Sequence, residues 1–140
     1  MMFNAHVNWL AILACGVAYM VIGFLWYGPL FAKPWMKLTG RTQKDLNRSM
    51  KSGNMPKIYA TSFISALVTA YVTNIIVTLL NVMNIGSAIS LGIMLWLGYV
   101  AATYATQVLY EDKPFRLYLI NIGYYLATII VTTVILTIWV

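Results

Sequence analysis

The sequence predicts an all-α integral membrane protein, a four-helix bundle with both termini on the outer side. Three observations predict it. Of the 140 residues, 61% are hydrophobic and only 9% charged, where about a quarter of an ordinary soluble domain is charged. Four uninterrupted apolar segments are each long enough to cross a hydrocarbon core of about 30 Å, which takes about 20 helical residues. All twelve charged side chains fall in two short stretches, Lys33 to Lys57 and Glu111 to Arg116. So few charges cannot solvate a globular surface, which excludes an ordinary soluble domain, a disordered tail and a disulfide-rich secreted module.

The whole chain, 1–140, reads as one transmembrane domain. The first helix is expected over about 7–27. A cleaved signal peptide would carry positive charge before the apolar run and a small-residue cleavage site after it. Here the run is followed by Trp26-Tyr27-Gly28-Pro29, so it reads as a helix of the mature protein. Residues 28–57 form a basic loop in which Lys33, Lys37, Arg41, Lys44, Arg48, Lys51 and Lys57 face one acid, Asp45, for a net charge of +6. Trp35, Met36, Leu38, Leu46 and Met50 interleave with these cations, and Thr42 with Asp45 resembles a capping box. A short helix over 42–51, lying on anionic lipid headgroups, is the favoured reading. A docking patch for an acidic cytoplasmic partner is the alternative, and nucleic acid is not expected, because net charge alone does not select it.

The second helix spans about 58–80, the third 87–109 and the fourth 115–139. Thr132-Thr133-Val134-Ile135 would lean toward strand in water, but in lipid each segment must satisfy its own backbone, which favours helix. The uncharged turn 81–86 holds Asn and Gly residues suited to helix ends. Pro114 stands where a helix can begin without losing a needed donor. Lys and Arg accumulate on the cytoplasmic side of membrane proteins. The first and third loops lie on one side of a four-span chain, so both are expected in the cytoplasm of a multi-pass protein of the cytoplasmic (inner) membrane. Trp9 and Trp139 mark the outer boundary, and Trp26, Tyr27, Trp35, Tyr59, Tyr110, Phe115 and Tyr118 the inner one.

Helices in lipid pack through small and neutral polar side chains. In the second helix Ser62, Ala66, Ala70, Asn74 and Thr78 recur at every fourth position, with Thr61, Ser65, Thr69 and Thr73 alongside. This broad face is expected to be buried in protein. Ala11, Ala14, Cys15 and Ala18 form a smaller version in the first helix, and Gly98, Ala101, Ala102 and Ala105 in the third. Tyr118, Asn121, Tyr125, Thr128 and Thr132 align in the fourth. Interhelical packing is the favoured reading. The alternative is a polar path for a small uncharged solute near Asn74, Gln107, Asn121 and Tyr125. No charged residue lies mid-membrane, which argues against an ion-coupled pump. Gly16 and Gly23 faintly resemble Gly92 and Gly98 as traces of a duplication, though their spacings of seven and six differ.

Catalytic, cofactor-binding and metal-ligating residues are not expected. His6, beside Asn4 and Asn8, lacks convergent ligands for a metal and reads as an interfacial or capping residue. Cys15 sits in an apolar run and reads as a packing residue. Ser and Thr occur without a nucleophile elbow or paired base. Glu111 and Asp112 read as a surface ion-pair cluster with Lys113 and Arg116.

Several stretches together resemble the domain-of-unknown-function family 1761. They are Asn8-Trp9, Gly23-Phe24-Leu25-Trp26-Tyr27-Gly28-Pro29-Leu30-Phe31 with Trp35, Ala70-Tyr71, Leu95-Trp96-Leu97-Gly98-Tyr99 and Asn121-Ile122-Gly123-Tyr124. The resemblance implies a small four-helix membrane protein of bacterial type and supplies no activity or catalytic residue. Four short helices enclose little space and their small-residue faces leave surface for self-association, so the functional expectation is a non-enzymatic membrane protein that acts as a homo-oligomer or as a subunit of a membrane assembly; the alternative is a channel or transporter for a small uncharged solute.

Overall fold

The computed structural model describes residues 7–40, 42–51 and 55–139, and among them every regular element is helical. Four helices are long and apolar enough to cross a membrane: Trp9–Leu30, Pro56–Leu79, Ile85–Tyr110 and Phe115–Ile138. In chain order the elements are α1 (Trp9–Leu25), continued by a π-helical turn (Trp26–Leu30), then α2 (Ala32–Thr39), α3 (Gln43–Lys51) and α4 (Met55–Leu79). They are followed by α5 (Ile85–Trp96), a second π-helical turn (Leu97–Ala101), α6 (Ala102–Tyr110) and α7 (Phe115–Ile138).

Local chemistry sets the boundaries. Asn8 caps α1 by accepting a hydrogen bond from Ala11 N at 3.1 Å, and Asn84 caps α5 by accepting from Ser87 N at 2.8 Å. Pro114 is the N-cap of α7. Helix ends after α2, α4 and α6 place Gly40, Asn81 and Asp112 at positive φ, a conformation that glycine adopts freely and Asn and Asp tolerate. After α4 and α6 the next amide reaches back five residues, Val82 to Val77 and Lys113 to Val108, both at 3.1 Å, closing the chain end as in a Schellman motif.

The spans run antiparallel. Asn8 Nδ2 donates to the Trp139 carbonyl at 2.9 Å, which places both ends of the described chain together. At the opposite end Trp26 Nε1 donates to Ile120 O and α2 packs against α7. Every charged side chain among the described residues is exposed, all at this second end. The expectation that both charged loops share one end of the bundle is therefore met.

Helix α7 is the hub, packing against α1, α4 and α5. Ala11, Ile12 and Cys15 of α1, Ala70 of α4 and Leu136 of α7 form the buried core. Thr128, Thr132 and Thr133 are fully buried in α7. Their hydroxyls donate to Tyr125 O, Thr128 O and Ile130 O at 2.8–3.0 Å, so each threonine satisfies itself within its own helix and presents a methyl to its neighbours. A Cβ on Gly92 would come within 3.0 Å of Thr133 Oγ1 and 3.3 Å of Ile130 Cα. The absence of a side chain there is what lets α5 lie close to α7.

The structure departs from the sequence reading in three places. The segment 28–57 is not a loop with one short helix, because α2 occupies Ala32–Thr39 and α4 already begins at Met55. The third span is interrupted at Leu97–Ala101 by the second π-helical turn. The small-residue face of α4 is only half covered: Ala66, Ala70, Thr73 and Asn74 are buried, whereas Thr61, Ser62, Ser65, Thr69 and Thr78 are exposed. The reason is topological. Although 80–84 joins α4 to α5, the third span leans on α7 and makes no extensive contact with α4, leaving the α4 flank open. In the third span Ala101 is buried, while Gly98 and Ala102 are exposed.

Candidate functional site

The chain concentrates its specific polar contacts where two π-helical turns meet the first half of α7. The first turn is a kink between two helices rather than a regular π-helix: Gly28, with φ of −109° and ψ of −106°, leaves the helical region, and Pro29 lacks a backbone donor. Both turns follow a Trp-x-Gly sequence, Trp26-x-Gly28 and Trp96-x-Gly98, with the first tryptophan inside its turn and the second immediately before. Trp26 Nε1 donates to Ile120 O at 2.9 Å and Trp96 Nε1 to Ile122 O at 2.7 Å. Two indoles thus hold carbonyls two residues apart on α7. Tyr118 Oη donates to the carbonyl of Ala101, the last residue of the second turn. Tyr27 Oη donates to Asn121 Oδ1 at 2.8 Å, and Tyr124 Oη to Tyr19 O at 3.3 Å. A Cβ on Gly123 would fall 2.9 Å from Trp26 Cζ2, so any larger residue there would displace the indole.

An aromatic cluster continues from this clamp. Tyr27 lies edge-on to Tyr124 at 5.4 Å and to Trp35 at 6.1 Å, Tyr124 meets Tyr125 at 5.1 Å, and Tyr104 stacks on Tyr125 at 5.8 Å. Rings at these separations fill one another's contact surface. The cluster ties α2 to the bundle through Trp35 and leaves Lys33 and Lys37, one turn apart, exposed on α2. Thr42 and Asp45 cap α3 reciprocally, with Asp45 N to Thr42 Oγ1 at 3.2 Å and Thr42 N to Asp45 Oδ2 at 3.0 Å. Among the described residues no group of three or more His, Cys, Asp or Glu side chains is placed to hold a metal.

The family model described as "Protein of unknown function (DUF1761)" matches residues 10–137, nearly the whole chain. The chain belongs to this family. No curated protein and no solved structure matches it. In this DUF1761 protein, three of the stretches that carry the sequence resemblance converge in space. Trp26-Tyr27-Gly28-Pro29 lies in the first turn, Trp96-Leu97-Gly98 leads into the second, and Asn121-Ile122-Gly123-Tyr124 lies on the part of α7 they grip.

The residues put forward for a polar path are dispersed over this DUF1761 fold. Asn121 and Tyr125 belong to the aromatic clamp, Asn121 with its carbonyl oxygen engaged by Tyr27. Gln107 is exposed and donates to Glu111 Oε1 at 3.1 Å, beside the Glu111–Lys113 ion pair at 3.5 Å. Arg116 is exposed and joins no salt bridge among the described residues. Asn74 is buried on α4 at the other end of the molecule, near Asn8 and Trp139. Of the basic residues, Lys33, Lys37, Lys44, Arg48, Lys51 and Lys57 are exposed at the charged end. Arg41, His6 and Asn4 lie outside the described residues. Cys15 is buried, its Sγ 3.9 Å from Thr132 O, as a packing residue should be. The sequence reading missed the indole clamp: it places Trp26 in the interfacial belt and names Trp96 only within the family resemblance; the repeated Trp-x-Gly was the signal available.

Proposed function

We propose that this DUF1761 protein is a non-enzymatic component of a membrane assembly, built by self-association along the open flank of α4. One observation carries the reading: Thr61, Ser65 and Thr69 lie one turn apart on α4 and are all exposed. They sit on the flank turned away from Phe63 and Leu67, the side chains that meet Gly16 of α1. Small hydroxyl-bearing positions at this spacing favour close helix approach in lipid, with average hydrogen bonds of about 0.6 kcal/mol each. The third span adds Gly98 and Ala102, both exposed, with nothing within 4 Å of a Cβ placed on Gly98.

In this reading the charged end faces the cytoplasm, following the distribution of Lys and Arg. Helices α2 and α3 then lie on anionic headgroups, each basic residue near the surface adding about 1 kcal/mol of attraction. Support comes from α2, which sets the half-buried Trp35 against Tyr27 while Lys33 and Lys37 stay exposed. A solute path gains no comparable support, since Asn74 and Asn121 lie at opposite ends of the bundle and Gln107 is on the surface.

Cysteine cross-linking in membranes tests the assembly. The sole native cysteine, Cys15, is buried, so Ser65→Cys reports contacts between copies. The expected result is an oxidant-dependent dimer from Ser65→Cys and little from Val17→Cys, which is exposed on α1. Equal cross-linking at the two positions, or none at either, overturns the proposal.

A further inference from the structure

Helix α3, the nine residues Gln43–Lys51, stands apart from the bundle. Helix α2 packs against α7 and sets Trp35 against Tyr27, whereas α3 makes no extensive contact with any other element among the described residues. Its order comes from local terms: the reciprocal cap of Thr42 and Asp45 at the start, and Arg48 and Lys51 in the last turn, where cations favour the helix dipole. Those terms do not hold so short a helix by themselves, because isolated helices of fewer than about 12–15 residues are marginal in water. A surface outside the chain's own fold has to supply the rest.

Chain length limits which surface that is. Lys51 stands four residues before Met55, the first residue of α4, so the end of α3 lies within about 14 Å of the membrane-spanning helix. That is close enough to rest in the headgroup layer, about 5–8 Å thick on each side of the hydrocarbon core. Lys44, Arg48 and Lys51 are exposed, three cations against the one acid Asp45, for a net charge of +2. Leu46 and Met50, one turn apart in the sequence, complete the mixture of cations and apolar residues found in helices that lie on anionic membranes.

We infer that α3 is a charge-gated surface helix, folded against anionic phospholipid and unravelled where the lipid surface is neutral. This rests on the reading above that the charged end meets anionic headgroups, and adds that the contact governs the folding of one element there. Helix α2, seated on the bundle through Trp35, keeps its helix on either surface. Two net positive charges, each favouring an anionic surface about fivefold, set the response of the α3 folding equilibrium at roughly 25-fold.

The test is amide hydrogen exchange of the full-length protein in lipid nanodiscs made of phosphatidylcholine alone or of equal parts phosphatidylcholine and phosphatidylglycerol. Exchange over 43–51 is expected to be roughly 25-fold slower in the anionic discs, with exchange over 32–39 the same in both. The combined variant Lys44→Gln, Arg48→Gln, Lys51→Gln is expected to match the parent in neutral discs and to lose most of the slowing in anionic ones. Lys44→Arg with Lys51→Arg keeps the charge and is expected to keep the full response. Equal exchange over 43–51 in the two discs overturns the inference, and so does equal slowing over 32–39. It is also overturned if the glutamine variant responds as strongly as the parent or the arginine variant does not respond. Native mass spectrometry of the parent released from the mixed discs separates the gating from the contact itself. Retained phosphatidylglycerol with no lipid-dependent exchange overturns the gating of α3 alone; no retained phosphatidylglycerol and no lipid-dependent exchange overturns the headgroup contact as well.

Discussion

Replacing Gly123 by alanine puts a methyl group where the Trp26 indole now lies. The new Cβ would stand 2.9 Å from Cζ2 and 3.5 Å from Cη2 of that ring, whereas carbon atoms prefer about 3.5–4.0 Å. The indole must retreat by about 0.6 Å or more to regain contact distance. It cannot do so freely, because its Nε1 is anchored to Ile120 O at 2.9 Å. Overpacking of this kind costs about 1–3 kcal/mol, and the weakened hydrogen bond adds about 1 kcal/mol. Alanine returns about 1 kcal/mol as the better helix former. The net expectation is a loss of about 1–3 kcal/mol, read as a lowered midpoint in denaturant titration of the detergent-solubilised protein, with Trp26→Phe in the same background recovering part of it. Gly98→Ala is the matched control: nothing lies within 4 Å of its added Cβ, so the isolated protomer should be unchanged or slightly stabilised. If Gly123→Ala proves as stable as the parent, the indole is not seated against α7.

Two further outcomes follow from the caps. Thr42→Ala removes the hydroxyl that accepts from Asp45 N and should loosen α3 by about 0.5–2 kcal/mol; amide hydrogen exchange over 43–46 should speed several-fold without a change in the global midpoint. Asn8→Ala removes both the α1 cap and the bond to Trp139 O, together worth about 1–2 kcal/mol; unfolding titrations should show that loss, and exchange at Ala11 should rise.

Much of the architecture was legible because a bilayer leaves few alternatives. Continuous apolar runs fixed four spans, and the placement of Lys33 to Lys57 and Glu111 to Arg116 put two loops at one end. Thr42 with Asp45, and Pro114, marked their helix starts correctly. Helix α2 was less legible: Ala32–Thr39 carries two lysines and a proline, and its order comes from tertiary docking of Trp35 on Tyr27. The two π-helical turns were invisible to periodicity, which assumes a uniform 3.6 residues per turn.

Packing partners were the hardest to read. The polar stripe of α4 was real, but spacing along one helix cannot say which neighbour covers it, and Thr61, Ser65 and Thr69 are exposed because α5 leans on α7 instead. The alternative polar path grouped Asn74 with Asn121 by residue type, whereas the antiparallel topology separates them to opposite ends.

The most direct test of the proposed assembly is the mass of the reconstituted particle in lipid nanodiscs large enough to hold several copies. The expected result is a dimer or larger oligomer that Ser65→Leu, which places a bulky side chain on the α4 flank, converts to monomer without lowering protomer stability. A parent protein that stays monomeric in lipid at every protein-to-lipid ratio would contradict self-association through that flank.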